Sequence, residues 1–554
     1  MERPTPPKPV RSLLVCSDKP GRICMLRMSN QIPSWIDPLV VGLVTLVVFV
    51  GVLKTPFSMV DDYLMLVNNP MLDPPTWAGF KYQLTTPQYH LYSPVTYGLL
   101  YVLGTIAGPG TSMSPVPFKL ASWFLHAMTA VAAWGVIRQF CSNRLASIVG
   151  ALVVGIHPLQ VESVAWTTGL KDVLCGLLSF ISIGLTLHWI RTGKRRFWQM
   201  SILGCGLAVL SKPSATVLPL ILVFIDVVLR QSSPKDRFRR WWPWLAIGLF
   251  SAIITLQVQT AEGVKPAPLW SRPFIAGDSY AFYLQKLVCP IGLAVDYTRT
   301  PDQVVKTGEV YWKWIIPTLV FGGLFLTGNR RIWIACVLFI APILPVSGLV
   351  SFDMQFYTTV TDHYVYTSLL GVGLLVSMLL ERHRFLIVMG IVILGIGSWM
   401  TVSRLTVWQD MRKLAWDTIA KYPRSRLVWE SIPAMELVNG RFREAELLCY
   451  RALQLRPSEL VYDTLADALY RQGRFEQAAI AARKALSMPN NIGVNRVKQI
   501  LALAAKVNDD ELARLAVLKW LDLEPDHPGA RSLLKDINAS IVRKKLSTRP
   551  SHND

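Results

Sequence analysis

The feature that most constrains this chain is a series of long apolar segments separated by short basic runs. Such segments lie near 36–56, 118–138, 145–163, 173–190, 197–211, 214–229, 241–259, 312–328, 332–350, 364–380 and 385–403. A helical crossing of a bilayer needs about 20 mostly apolar residues. Inside lipid the backbone has to satisfy its own hydrogen bonds, so spanning segments of this length are helices. The expected fold class is therefore all-α: a polytopic membrane helix bundle of about eleven spans. The balance of 52% hydrophobic against 17% charged residues in 554 excludes both a single soluble domain and a disordered chain.

Charge then sets the orientation. The chain carries 57 Lys+Arg against 36 Asp+Glu, a net charge of +21. On a soluble protein that excess would point to nucleic acid, but here it lies in short runs between apolar segments, so no nucleic-acid partner is expected. The runs are Arg138/Arg144, Arg191/Lys194/Arg195/Arg196, Arg230/Lys235/Arg237/Arg239/Arg240, Arg330/Arg331 and Arg382/Arg384. All fall on one side if 93–107 is a juxtamembrane or re-entrant helix and not a span. The positive-inside rule makes that side cytoplasmic, together with a basic, Pro-rich tail at 1–35. The tail is read as preceding a retained first span and not as a cleavable signal. The opposite, extracytoplasmic side receives the long loops 57–117 and 260–311, the stretch 157–172, the turn at 211–216, the loop 351–363 and everything after 403.

Beyond Arg404 the pattern changes to polar, amphipathic helices. GRFREA at 440–445 recurs as GRFEQA at 473–478, 33 residues later, and NDDELA occupies the corresponding place before Ala513. This is close to the tetratricopeptide period of about 34. Pro457, Pro489 and Pro525 close the units, Gly or Asn makes the turn inside each, and Ala445, Ala478 and Ala513 permit close helix packing. An extracytoplasmic solenoid of three repeats over 404–540 is expected, followed by a disordered tail at 541–554. Such repeats dock peptides or proteins, which implies a protein acceptor or partner.

The unusual polar residues gather on the extracytoplasmic side. Asp61 and Asp62 head the first loop. Adjacent carboxylates there are able to orient and deprotonate an acceptor hydroxyl or to hold a divalent cation; the plainer alternative is a helix cap. In HPLQVESVAWTTGLKDVL, His157, Glu162, Lys171 and Asp172 lie in or beside apolar helices, where ionisable groups are costly and tend to mark sites. A lysine near the outer surface suits a lipid-linked phosphate, whereas Lys171 and Asp172 could instead snorkel or pair with each other. Lys212 repeats the theme beside Pro213, with an ordinary interfacial lysine as its alternative. In TVTDHYVYTSLLG an aromatic belt explains Tyr364 and Tyr366 but not Asp362 and His363. Arg299 is a weaker candidate, and Asp226 reads as structural. No disulfide framework or zinc site is expected from the cysteine spacing.

The ordered set VDDYLMLVNNP, YSPVTY, FLHAM around His126, HPLQVESVAW with GLKDVL, LSKPSATVLPLILVFID, YLQKLVCPIGLAVDY, TDHYVYTSLLG and RLTVWQD, trailed by the repeats, resembles the transmembrane and tetratricopeptide-repeat O-mannosyltransferase family of the GT-C glycosyltransferase superfamily and its bacterial relatives. The resemblance implies a polyprenyl- or dolichyl-phosphate sugar donor, transfer on the extracytoplasmic face, and an acidic catalytic base in the first loop, a role that falls on Asp61 or Asp62. The family has Arg where His363 and Leu170 stand here. Two phosphate contacts are thereby replaced, so Lys171, Lys212 or Arg299, with His363, would hold the donor phosphate around a pocket of His157, Glu162, Asp172, Asp362 and Tyr364.

The expected reaction is inverting transfer of a sugar, mannose by resemblance, to a protein Ser/Thr hydroxyl. Positioning, and cations at the leaving phosphate, would supply most of the rate. An oligosaccharide ligase is the nearer rival and would not require the acidic pair; a non-catalytic scaffold or transporter is the further one, and the paired inverted repeats of transporters are not seen. The small number of repeats favours a bacterial inner membrane with the repeats in the periplasm over an endoplasmic reticulum membrane with the repeats in the lumen.

Overall fold

The computed structural model describes residues 35–547 apart from 59–60, 89, 231–233, 259–263, 265, 384 and 489–492. The N-terminal tail, Arg384, Pro489 and residues 548–554 lie outside the described residues. Among the described residues every regular element is helical.

The membrane part comprises α1 (Ile36–Phe49), which runs on as a 3-10 turn to Lys54, then α2 (Trp77–Thr85) and α3 (Pro94–Ala107) in the first loop. It continues with α4 (Val116–Ile137), α5 (Arg144–Ile156), α6 (Val161–Ala165), α7 (Leu170–Thr192), α8 (Arg195–Ser211), α9 (Leu218–Leu229) and α10 (Pro234–Val258). Helices α11 (Arg272–Val288), α12 (Pro301–Lys306) and α13 (Val310–Lys313) belong to the second long loop and its exit, and α14 (Ile315–Leu326), α15 (Arg330–Ile343), α16 (Leu369–Arg382) and α17 (Leu386–Trp408) complete the bundle.

Each of the eleven apolar runs contains a helix, but among the described residues five helices are long and apolar enough to cross a bilayer: Ile36–Lys54, Val116–Ile137, Leu170–Thr192, Arg237–Val258 and Leu386–Trp408. A sixth is the pair α5 and α6, bent by 42° at its break. The runs at 197–211, 214–229, 312–328, 332–350 and 364–380 form shorter helices, which corrects the count of uninterrupted spans. Proline accounts for two of them. Pro213 opens a 3-10 turn ahead of α9, and Pro342 stands just before the 3-10 turn Leu344–Val346 that ends α15. The 364–380 run begins as the polar 3-10 turn Asp362–Val365, so its helix starts only at Leu369.

Close packing of α5 on α16 depends on two glycines. A Cβ on Gly150 would overlap the Gly373 carbonyl and the Ser377 hydroxyl, and one on Gly373 would overlap the Gly150 carbonyl. Without a side chain the two backbones approach within contact distance, as is common where helices associate in lipid.

The two ends of the bundle differ in chemistry. At one end Arg144 forks onto the buried Asp37 at 2.5–3.1 Å, Arg331 donates to the Phe140 carbonyl at 3.0 Å, and Glu381 accepts from the Ser142 backbone at 2.7 Å. Arg230 and Arg240 flank Asp226, in keeping with a structural role for that carboxylate. This is the end where the basic runs collect. The other end holds the start of α4, the α5–α6–α7 connections, the end of α8 and the start of α16, and it carries the acidic and lysine residues singled out above.

After the bundle come α18 (Met411–Lys421), α19 (Arg426–Val438), α20 (Phe442–Leu455), α21 (Glu459–Arg471), α22 (Phe475–Leu486), α23 (Val494–Lys506), α24 (Asp510–Leu523) and α25 (Pro528–Ser547). Gly440, Gly473 and Asn508 turn the chain inside successive pairs with φ of 75°, 77° and 54°, a region glycine enters without steric cost and asparagine tolerates. Ala445 and Ala478 are fully buried, while Ala513 is half-buried. The tail expected to be disordered from 541 is helical as far as Ser547. The first repeat helices are bonded to the outer loops. Asp296 accepts from Ser425 Oγ at 2.8 Å and the Leu427 N–H at 3.2 Å, the Tyr357 hydroxyl donates to Glu430 at 3.1 Å, and Arg404 at the end of α17 pairs with Asp417 at 2.7 Å.

Candidate functional site

The site is built on the turn that joins α6 to α7. Helix α4 straps its backbone from one side: Lys119 Nζ, fully buried, donates to the Ala165 carbonyl at 2.5 Å, and Ser122 Oγ to the Val164 carbonyl at 2.9 Å. Asp62 straps it from the other, accepting the Thr168 N–H at 3.0 Å and the Ser58 N–H at 2.7 Å. Both Asp62 oxygens are thereby committed to backbone donors.

Asp61 differs from its neighbour. Its Oδ1 is buried and makes no hydrogen bond, while Trp166 and Thr168 lie beside the carboxylate close enough to favour its charged form. Burial is the largest influence and pushes the carboxyl up to about 6, with Lys171 opposing the rise and Asp62 adding to it. Lys171 stands 5.6 Å from the Trp166 ring centroid, and among the described residues it joins no ion pair. The acidic pair is thus flanked by Lys119 and Lys171 and not by a third carboxylate. No group of three His, Cys, Asp or Glu able to hold a metal occurs among the described residues. A cationic setting is a poor one for a divalent cation.

Asp172 pairs with Lys212 and not with the adjacent Lys171. The pair lies at the polar end of a narrow cleft with a free volume of only about 30 Å³, whose further walls include Phe180, Ile183, Leu338 and Leu370. Tyr364 also lines it, its ring centroid 5.4 Å from Lys212 Nζ. A fixed ion pair over an apolar trough is a combination suited to an amphiphile.

Several expected roles are not met. His363 is buried, with Nδ1 on Glu162 Oε1 at 2.5 Å and its ring edge-on to Trp166. Burial, then Lys212 and Lys171, hold its imidazole well below the ordinary value. Its Nδ1 is thus spent on Glu162, and burial disfavours its cationic form. Arg299 is drawn away by a bidentate bond to Asp278 at 2.5 and 2.6 Å, so its charge is already neutralised. His157 caps the turn Pro158–Gln160 and bonds the Leu287 carbonyl at 3.2 Å, which gives it a structural role. Glu162 serves to orient His363. Asp362, held by the Tyr297 hydroxyl at 2.6 Å and pushed up to about 6 by burial, sits behind them. Sequence reasoning missed Lys119, Trp166 and Thr168. A single lysine inside the apolar run of α4 was the available signal for the first.

The fold and this end of it define a polytopic α-helical membrane protein whose candidate site faces away from its basic end. No family model matches the chain. It is similar, at modest identity, to two O-mannosyltransferases: 22% over 475 residues with human protein O-mannosyl-transferase TMTC1, covering 72% of this chain and 52% of that protein. Drosophila melanogaster protein O-mannosyl-transferase Tmtc2 is 24% identical over 136 residues, 24% of this chain and 14% of that one. The chain thus spans about half the length of the first relative and less of the second. Among solved structures, ArnT from Cupriavidus metallidurans bound to undecaprenyl phosphate aligns over 82% of this chain and 81% of its own at 15% identity, with a TM-score of 0.35, too loose a likeness to build on.

Proposed function

We propose that the protein is an integral-membrane glycosyltransferase that moves a sugar, mannose by its relatives' names, from a polyprenyl- or dolichyl-phosphate donor to a Ser/Thr hydroxyl of a protein. The observation that carries this reading is Asp61, a carboxylate with a free buried oxygen beside the unpaired cation Lys171. Asp61 would accept the proton of the attacking hydroxyl as that hydroxyl displaces lipid phosphate at the anomeric carbon with inversion. Lys171 would stabilise the charge gathering on the leaving phosphate, with the Lys212–Asp172 cleft taking the start of the lipid. Asp62 is a positioning residue here, since its oxygens hold the backbone on either side of the site. The repeats would present the acceptor, in an extracytoplasmic compartment that we take to be the bacterial periplasm.

Membranes containing the protein, incubated with radiolabelled polyprenyl-phosphate mannose, should pass label to protein. Label that stays in lipid would refute a transferase of this kind, and label passed as a preassembled oligosaccharide would instead support the ligase reading.

A further inference from the structure

The turn at the centre of the site holds more hydrogen-bonding capacity than its packing uses. Ser163 Oγ and Thr167 Oγ1 are buried without a partner; Trp166 Nε1, Thr168 Oγ1 and Asp61 Oδ1 are buried without a well-formed hydrogen bond, the first two lying against the Asp61 carboxylate closely enough to favour its charge. Buried polar atoms left unmatched are costly and rare, so a concentration of them within six residues calls for a reason. Local slackness is not that reason. The Val164 and Ala165 carbonyls and the Thr168 N–H are fixed by Ser122, Lys119 and Asp62 respectively, so the buried side chains stand on a held backbone.

The chemistry of the set narrows what it would bind. Trp166 offers a donor only, the three hydroxyls donate and accept, and Asp61 accepts only. A lipid phosphate is purely an acceptor at neutral pH and is repelled by Asp61, and an isoprenoid chain uses none of these groups. Vicinal hydroxyls on a sugar ring both donate and accept, and they match the set in number and kind. Trp166 and Thr168 are the two that lie beside Asp61.

We propose that the turn Ser163–Thr168 is the sugar-recognition surface, with Trp166 Nε1 and Thr168 Oγ1 holding ring hydroxyls next to Asp61 and so determining which sugar is accepted. The assignment rests on the transferase reading above. It separates two duties within one site: the lysines face phosphate, and the turn reads the sugar.

The test compares binding of bare polyprenyl phosphate and polyprenyl-phosphate mannose to the full-length protein in lipid nanodiscs. Wild type should prefer the mannosylated lipid. Trp166→Phe keeps an aromatic ring against His363 and removes only the N–H, and Thr168→Val keeps the shape and the backbone N–H that Asp62 holds. Each should erase about tenfold of that preference, leave the affinity for bare lipid unchanged, and in Thr168→Ser regain it. A preference unaltered in both variants overturns this inference while the transferase reading stands. Loss of bare-lipid binding along with the preference assigns the turn to phosphate or to folding and also overturns it. Wild type that binds neither lipid overturns both.

Discussion

Asp62 spends its two carboxylate oxygens on the Ser58 and Thr168 N–H groups, whereas Asp61, one residue earlier, keeps an oxygen free. Different consequences follow from removing them. Asp61→Asn should abolish transfer with little change in thermal stability. Asp62→Asn places an amide donor where a backbone donor already points and should cost about 1–3 kcal/mol of stability, read as a lowered melting temperature, with activity falling as the turn loosens. The pH dependence has a definite sign. A base must be ionised, and burial has raised Asp61 to about 6, so kcat/KM should climb as pH rises through about 6 and then level off. Lys171→Met should lower kcat by about 10²-fold, as expected when one preorganised partner of a developing charge is lost. The acidic pair and Lys171 are visible in the sequence because ionisable groups are conspicuous beside apolar runs. What the sequence hides is commitment. Arg299 looks as free as Lys171 until folding brings Asp278 against it, and Lys119 looks interfacial until Ala165 meets its ammonium.

Helices rather than single side chains decide whether the site keeps its shape. Their positions follow apolar runs that are easy to see, but their lengths do not, because Pro213 and Pro342 and the polar turn at Asp362 interrupt runs that hydropathy reads as continuous. The bend of 42° between α5 and α6 is likewise a product of His157-Pro158, which no average over a window reports. This bend delivers the turn 163–169 to the site instead of carrying it out of the bundle. Packing of α5 on α16 fixes the bend in place, and it tolerates nothing larger than glycine at two points. Gly150→Val should therefore push the helices apart at a cost of about 1–3 kcal/mol, measurable as a fall in melting temperature in detergent, while Gly193→Val, where a Cβ meets no neighbour but the backbone φ is 70°, would strain only the turn after α7. The repeat helices were the most legible of all, since a repeated GRF turn and small residues announce a helical hairpin directly.

At the scale of the whole molecule, charge divides the protein. Arginines bonded to Asp37, Asp226 and backbone carbonyls mark one end, and Asp61, Lys171 and Lys212 mark the other, from which the repeat arm is held through Asp296, Glu430 and Arg404. A cysteine in place of the exposed Arg195 and one in place of the exposed Leu447 should therefore react with a membrane-impermeant maleimide from opposite sides of sealed vesicles, in a background where Cys16, Cys24 and the exposed Cys289 are replaced by serine. Labelling of both from the same side would contradict the orientation. The central claim is that Asp61 is the base of a lipid-phosphate sugar transfer, and it is tested most directly by following mannose from radiolabelled polyprenyl-phosphate mannose to protein with wild type and Asp61→Asn side by side. The account predicts transfer by wild type and none by the variant, with lipid binding retained in both; full transfer by Asp61→Asn would contradict it.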